Sequence, residues 1–341
     1  MNTFLVTFKP MEPYFFGNEK SFLYPPADGS DQKKTGQSNQ YYIKSELLPS
    51  QTTILGALRY LLLPFKRNDY QYSPEEQEQN DIAVGKSSYN VASETLQDFG
   101  HIKSISPLFL YDGEGILVPA PLDHIAGNTE YTPLSEYETA MTERGEVYFT
   151  KQYNAKEGLT RDFLRLRDKK MVDSEDIFAY TTRTGINRSA QKSGYFKRDF
   201  AILKNGYSFG VYVSFDTDSI PEHAQVSLGQ QRAVFSLTFK KAENDLSKQV
   251  GPCLREDVVY CASDAFLPSD IYEDCLFAAT KIKTYRSYMT RNGRVSKDTV
   301  LYKPIAAGSI FIPKNKESFL TRINGFNANG KQIGFNSFIT K

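Results

Sequence analysis

Tryptophan is missing from this chain, and histidine and cysteine each occur only three times. Cys253, Cys261 and Cys275 are odd in number and have no CxxC spacing, which argues against a disulfide framework and a zinc ribbon and fits a reducing compartment. His101, His124 and His223 lie in unrelated segments without HxxxH or HxE spacing, so neither a metal site nor a histidine-based active site is expected. The phosphate-loop, GxSxG and strand-borne GxGxxG patterns are also missing, and no cofactor is implied. No stretch approaches the ~18 apolar residues of a membrane span, and "MNTFLVTFKPMEPYFFG" lacks a basic region followed by a long apolar run. A soluble, cytoplasmic protein with no membrane partner is expected. Net charge is missing too: 41 Lys and Arg face 40 Asp and Glu, so attraction to a polyanion has to come from local clustering.

What is present is a globular composition, 40% hydrophobic and 24% charged over 341 residues, with 24 Phe and 22 Tyr. Aromatic rings favour strands and cores, and they also stack on bases. Residues 2–8 alternate as a strand, and "LPSQTTILGALRYLLLPF" predicts a helix with Ser50 as its N-cap and Pro64 as its stop. "ISPLFLYDGEGILVPAP" predicts a hairpin at Asp112-Gly113, and "AILKNGYSFGVYVSFD" another at Asn205-Gly206. Short helices are expected at 92–99, at 134–143 and in "IPEHAQVSLGQQ", whereas the acidic stretch from Glu75 to Asp81 reads as a solvated loop. The order approximates a β-α-β-β-α-β unit with large loop insertions. The expected fold class is α+β with two ferredoxin-like (RRM-like) domains: residues 1–245 with insertions, and a degenerate second unit at 246–341 with a glycine-rich end.

Two segments interleave cations with rings. "RTGINRSAQKSGYFKRDF" at 183–200 carries five Lys or Arg before its first acid, together with Tyr195 and Phe196. "KIKTYRSYMTRNGRVSKDTVLYK" at 281–303 has seven Lys or Arg against Asp298, with a hairpin expected at Asn292-Gly293. Its candidate contacts are Lys283, Arg286, Arg291, Arg294 and Lys297. Cations neutralise phosphates and rings stack on unpaired bases, as single-stranded RNA binding requires. A pair of solvated loops is the competing reading. "GFNANGKQIGFN" near the end suits either close approach to a phosphate or a hairpin turn at Asn329-Gly330.

Five collinear segments resemble one family: "MEPYFFG", "LPSQTTILGALRYLLL", "LYDGEGILVPAPLD", "RTGINRSAQKSGYFKRDF", and "IAAGSIFI" with "GFNANGKQIGFN". The chain is similar to the RAMP superfamily of CRISPR proteins, and within it to the third-subunit family of the type III-B Cmr effector complex. The resemblance implies two ferredoxin-like folds and binding to the 5′ handle of the CRISPR RNA. It further implies docking to the large polymerase/cyclase-like subunit and the backbone RAMP subunits, with target RNA met indirectly. It carries over Ser50, Gln51, Arg183, Asn187, Arg188, Lys192, Tyr195, Lys197 and Arg198 as handle-facing, with Arg183 and Arg188 clamping phosphates and Tyr195 or Phe196 stacking on a base, Phe196 being expected to be buried and Tyr195 the better candidate. The glycine-rich end matches the superfamily's glycine loop only loosely. Three functions stay open: a binding subunit without chemistry of its own, a metal-independent endoribonuclease with His124 or His223 as general base, and a structural protein whose basic loops meet an acidic partner.

Overall fold

β1 (Asn2–Pro10) forms where the sequence alternates, burying Phe4, Val6 and Phe8 on one face. It pairs antiparallel with β12 (Ser208–Phe215) on one side and β14 (Ala233–Lys241) on the other. The computed structural model describes residues 1–17, 41–67, 71–153, 163–189, 192–291, 294–297 and 299–341; at 41–42, 186–189, 192–196, 288–291 and 294–297 only the backbone is considered. Around β1 runs a nine-stranded sheet that also contains β3 (Ile102–Ile105), β4 (Phe109–Tyr111), β5 (Ile116–Pro119), β8 (Phe163–Arg165), β9 (Lys170–Val172) and β13 (His223–Leu228). Its order is β13-β14-β1-β12-β4-β5-β8-β9, with β3 attached to β12.

α1 (Gln51–Leu62) closes one face, burying Ile54, Leu55, Ala57 and Leu58, and the Ser50 hydroxyl accepts from the Thr53 amide as its N-cap. Beneath it Tyr14, Phe16, Phe209 and Phe235 form a ring cluster with centroids 4.9 to 6.4 Å apart. Such pairs contribute about 0.5–1.5 kcal/mol each beyond their area.

Four further sheets complete the described residues. β2 (Tyr41–Lys44) runs parallel to β11 (Lys192–Leu203), which pairs antiparallel with β10 (Phe178–Ser189). β6 (Glu138–Thr142) and β7 (Gly145–Phe149) form a ribbon, as do β17 (Tyr288–Arg291) and β18 (Arg294–Lys297). β15 (Val259–Cys261), β16 (Cys275–Ala279), β19 (Ile310–Pro313) and β20 (Phe338–Ile339) build a four-stranded sheet in the order β16-β19-β15-β20. The remaining α-helices are α2 (Pro74–Val84), α3 (Ser174–Ile177), α4 (Leu246–Val250), α5 (Lys316–Asn324) and α6 (Ala328–Gln332), with 3-10 helices at Gly251–Cys253 and Ser269–Asp274. This is a mixed α+β fold of antiparallel sheets, with the β2–β11 contact parallel. Tyr212, Leu246, Tyr260 and Ile310 share one core, so the four-stranded and nine-stranded sheets are packed together.

Several elements differ from the sequence reading, each for a local reason. The acidic stretch is α2, started by a Ser73–Glu76 capping box with Pro74 in its first turn; an apolar period is missing because only Asn80, Ala83 and Val84 are buried. Residues 138–149 are the β6–β7 ribbon and not a helix, turned at Gly145 (φ 99°) and seated by Tyr137 against Tyr148 and Phe277. "HAQVSL" is β13, because Val226 and Leu228 alternate into the core. Residues 92–99 hold turns and extended chain without a helix. The chain does turn at Asn205-Gly206, but β11 and β12 enter different sheets. Asn329 and Gly330 lie inside α6, where the Asn327 side chain accepts from the Gly330 amide, so no hairpin forms there.

Candidate nucleic-acid interface

The first basic segment is not an irregular loop but the upper part of a long antiparallel strand pair, flanked by β2 along residues 196–199 of β11. β10 and β11 pair continuously from Phe178↔Leu203 to Ser189↔Lys192. At about 3.4 Å per residue each strand reaches roughly 40 Å. The ribbon's base is fixed by burial of Ile177, Phe178, Phe200, Ala201 and Leu203, and by reciprocal 2.9 Å main-chain bonds between Tyr14 and Ala201. "MEPYFFG" is thus the seat of the ribbon: Phe15 is buried with its ring 5.5 Å from that of Phe200.

Arg183 and Arg198 are direct cross-strand partners above this seat. The Arg183 guanidinium lies 4.5 Å from the Phe200 ring centroid, and that of Arg198 lies 5.9 Å from the Phe15 ring. Like charges facing each other across a strand pair repel, and rings beneath them offset part of that cost.

Strand alternation divides the carried-over residues. Positions 187 and 192 share the parity of Arg183 and Arg198, whereas 188, 195 and 197 have the opposite parity. Arg183 and Arg188 thus stand at positions of opposite parity along β10. The side chains of Asn187, Arg188, Lys192 and Tyr195 lie outside the described residues, as does that of Phe196. Lys197 is exposed on the second face. There Thr182 donates at 2.6 Å to the buried Asp199, and the Lys44 ammonium sits 3.9 Å from the Tyr180 ring centroid. The ring seat Phe15–Phe200 and the Lys44–Tyr180 pair escaped the sequence reading; the only signal was the alternation of positions 196, 198 and 200.

Ser50 is exposed and caps α1. Gln51 next to it is buried, and its Nε2 donates to the main-chain oxygens of Ser106 (3.1 Å) and Gly334 (3.2 Å). It ties the first helix to the glycine-rich end and offers no surface to RNA, which corrects its expected role. Gly334 has φ +92°, and a Cβ there would lie 2.4 Å from the Ser106 oxygen, so glycine is required by that crossing.

In the second basic segment β17 and β18 pair antiparallel with Arg291 opposite Arg294, while Asn292 and Gly293, where the turn was expected, lie outside the described residues. The side chains of Arg291, Arg294 and Lys297 lie outside the described residues. Lys283 is paired to Asp264 at 3.0 Å, so a phosphate would have to compete with that carboxylate. Arg286 is half-buried beside the buried Ser287. No strand pairing among the described residues joins this ribbon to β10–β11.

The histidines remain apart. His101 Nδ1 lies 2.7 Å from Asp216, whose other oxygen takes Lys103; burial alone would raise this carboxyl, but its hydrogen bonds with Lys103 and His101 hold it below its ordinary range. His124 Nδ1 accepts from the Thr132 amide, and Nε2 faces the Asn128 oxygen at 3.2 Å. His223 is exposed on β13. Among the described residues no group of three or more His, Cys, Asp or Glu could hold a metal ion, and no helix is long and apolar enough to cross a membrane.

The fold is shared with a chain of a type III-B Cmr-beta structure. A chain of a structure described as "Cryo-EM structure of the Type III-B Cmr-beta bound to cognate target RNA" is 15% identical with TM-score 0.52, over 98% of this chain and 96% of that one. A second, of the same complex with target RNA and AMPPnP (state 1), is 14% identical with TM-score 0.48 over 98% and 96%. A chain of the "Csm3-Csm4 subcomplex in the type III-A CRISPR-Cas interference complex" is 10% identical with TM-score 0.40 over 92% and 95%. No curated protein matches. A family model, "CRISPR-associated protein (Cas_Cmr3)", matches residues 8–340, and the chain belongs to that family.

Proposed function

We propose that this chain is a non-catalytic RNA-binding subunit of a type III-B CRISPR effector. In that role it anchors the 5′ handle of the CRISPR RNA on the β10–β11 ribbon and docks the large polymerase/cyclase-like subunit and the backbone RAMP subunits, in the cytoplasm. Guide pairing elsewhere reads the target, so this subunit meets target RNA indirectly. The observation that carries the reading is the Arg183–Arg198 pair: two cross-strand arginines whose guanidinia lie over a buried ring pair at the base of the β10–β11 strands. Such a pair is suited to a bridging phosphate, and its cationic neighbours along the ribbon to a phosphodiester backbone. The nuclease alternative gains no support from His124, whose two ring nitrogens both face main-chain groups.

The test is binding of the purified chain, with the large subunit present, to CRISPR RNA with an intact or scrambled 5′ handle at two salt concentrations, scoring cleavage in the same reactions. Preference for the intact handle without cleavage is the expected result. Cleavage, or equal binding of both handles, would overturn it.

A further inference from the structure

The two edges of the nine-stranded sheet are treated differently. At one, β9 is three residues long, and its outer side is already taken: Met171 N–H donates to Thr129 O and Tyr131 N–H to Lys169 O, both at 2.9 Å. At the other, β13 is six residues long and pairs with β14 without a register shift. Its sequence, HAQVSL, contains no Pro, no Lys and no bulge, the usual devices that blunt an edge.

The pairing fixes which groups are left over. Phe239 N–H donates to Glu222 O, so Ala224, Val226 and Leu228 exchange main-chain bonds with β14. His223, Gln225 and Ser227 therefore turn their N–H and C=O groups outward, and all three residues are exposed. Among the described residues no other strand pairs with this edge.

At the His223 end of the strand lies a cavity of about 340 Å³, lined mainly by Leu58, Leu61, Phe215, Ile220, Pro221 and Phe239. Two carboxylates adjoin it. Glu222 is exposed and faces only His223, at 3.8 Å, and Asp218 takes an amide hydrogen bond from Asn2, with no Lys or Arg partner for either among the described residues. An open strand edge that runs into an apolar pocket matches strand addition, in which main-chain bonds give affinity and a pocket for one side chain gives specificity. The adjoining carboxylates of Asp218 and Glu222 disfavour phosphates and favour a cationic occupant.

We propose that β13 is a docking edge for an extended, basic segment of another polypeptide, which pairs along His223–Leu228 and seats one large apolar side chain in the cavity. The proposal rests on the reading that the chain works among other effector subunits. It concerns a surface separate in sequence and in sheet from the β10–β11 ribbon.

The test uses the full chain, alone and co-expressed with the other subunits of a type III-B effector, with Gln225→p-benzoylphenylalanine as a photoreactive probe. Hydrogen exchange reports the amides of His223, Gln225 and Ser227 in parallel on the unsubstituted chain. The expected result is exchange slowed by about tenfold or more in the assembly, and an adduct to a Lys- or Arg-containing segment of a different polypeptide. Asp218→Lys with Glu222→Lys lowers the adduct yield several-fold. Unchanged exchange, no adduct, or an adduct to RNA, to a second copy or within the same chain each overturns the proposal. Handle preference measured on the same preparations separates the two readings: lost docking with retained preference removes only the edge, and the reverse removes only the RNA site.

Discussion

Arg183 and Arg198 face each other across β10 and β11, each over one ring of the buried Phe15–Phe200 pair. Removing one guanidinium relieves like-charge repulsion and loses one ring contact, so the two effects on stability oppose. Arg183→Ala is expected to change unfolding free energy by within about 0.5 kcal/mol, while RNA affinity falls and the salt slope shrinks by about 0.7 per lost phosphate contact. Urea unfolding and RNA titration at two salt concentrations read both. An unchanged slope would remove Arg183 from the interface.

Ser50 separates capping from RNA contact. Ser50→Ala loses the bond to the Thr53 amide and should cost about 1 kcal/mol. Ser50→Asp keeps a capping acceptor and adds a negative charge, so stability should hold while affinity for the handle drops. Equal RNA affinity for Ser50→Asp and the parent chain would leave Ser50 a cap alone.

Gln51 and Gly334 are expected to act on stability only. Gln51→Ala leaves the Ser106 and Gly334 oxygens without this donor, at about 1–3 kcal/mol. Gly334→Ala forces a Cβ against the Ser106 oxygen at a positive φ and should cost at least as much. Thermal melts check the cost, and a salt slope of RNA binding equal to that of the parent chain checks that neither residue touches RNA.

Asp123 supplies the pH dependence. It is fully buried; burial pushes its carboxyl up to about 6, while the hydrogen bond from Tyr131 pulls it part of the way back. The folded state then binds the proton more tightly than the unfolded chain, whose carboxyl titrates near ~3.9. Stability from this group is therefore fully present below pH ~4 and lost as pH rises through about 6, on the order of 3 kcal/mol in all. Asp123→Asn keeps an acceptor for Tyr131 and should flatten the melting-temperature profile between pH 4 and 7, with its gain at the alkaline end. A profile that keeps the parent's slope would place the titration elsewhere.

The strong periodic elements were legible in the sequence. β1 shows an apolar residue at every second position, and α1 shows Ile54, Leu55 and Leu58 behind a serine cap, because each buries one face against the core. α2 was not legible, since a helix that buries only its last turn leaves no apolar period. The basic composition of 183–200 pointed to a polyanion, yet the strand form of that segment was hidden by cations at both parities of its alternation. Gln51 was carried over as handle-facing, and its burial was not legible because the oxygens it serves lie 55 and 283 residues away.

By itself the sequence determined the α+β character, the positions of β1 and α1, the clustering of cations in two segments, and the resemblance to the Cmr3 family. These rest on local periodicity, composition and collinear motifs. Only the tertiary structure decided which cations share a face, which polar groups are spent inside the fold, and which strand is left at an open edge. Facing, burial and edge position are set by pairing between residues distant in the chain, and no local pattern of side chains encodes them.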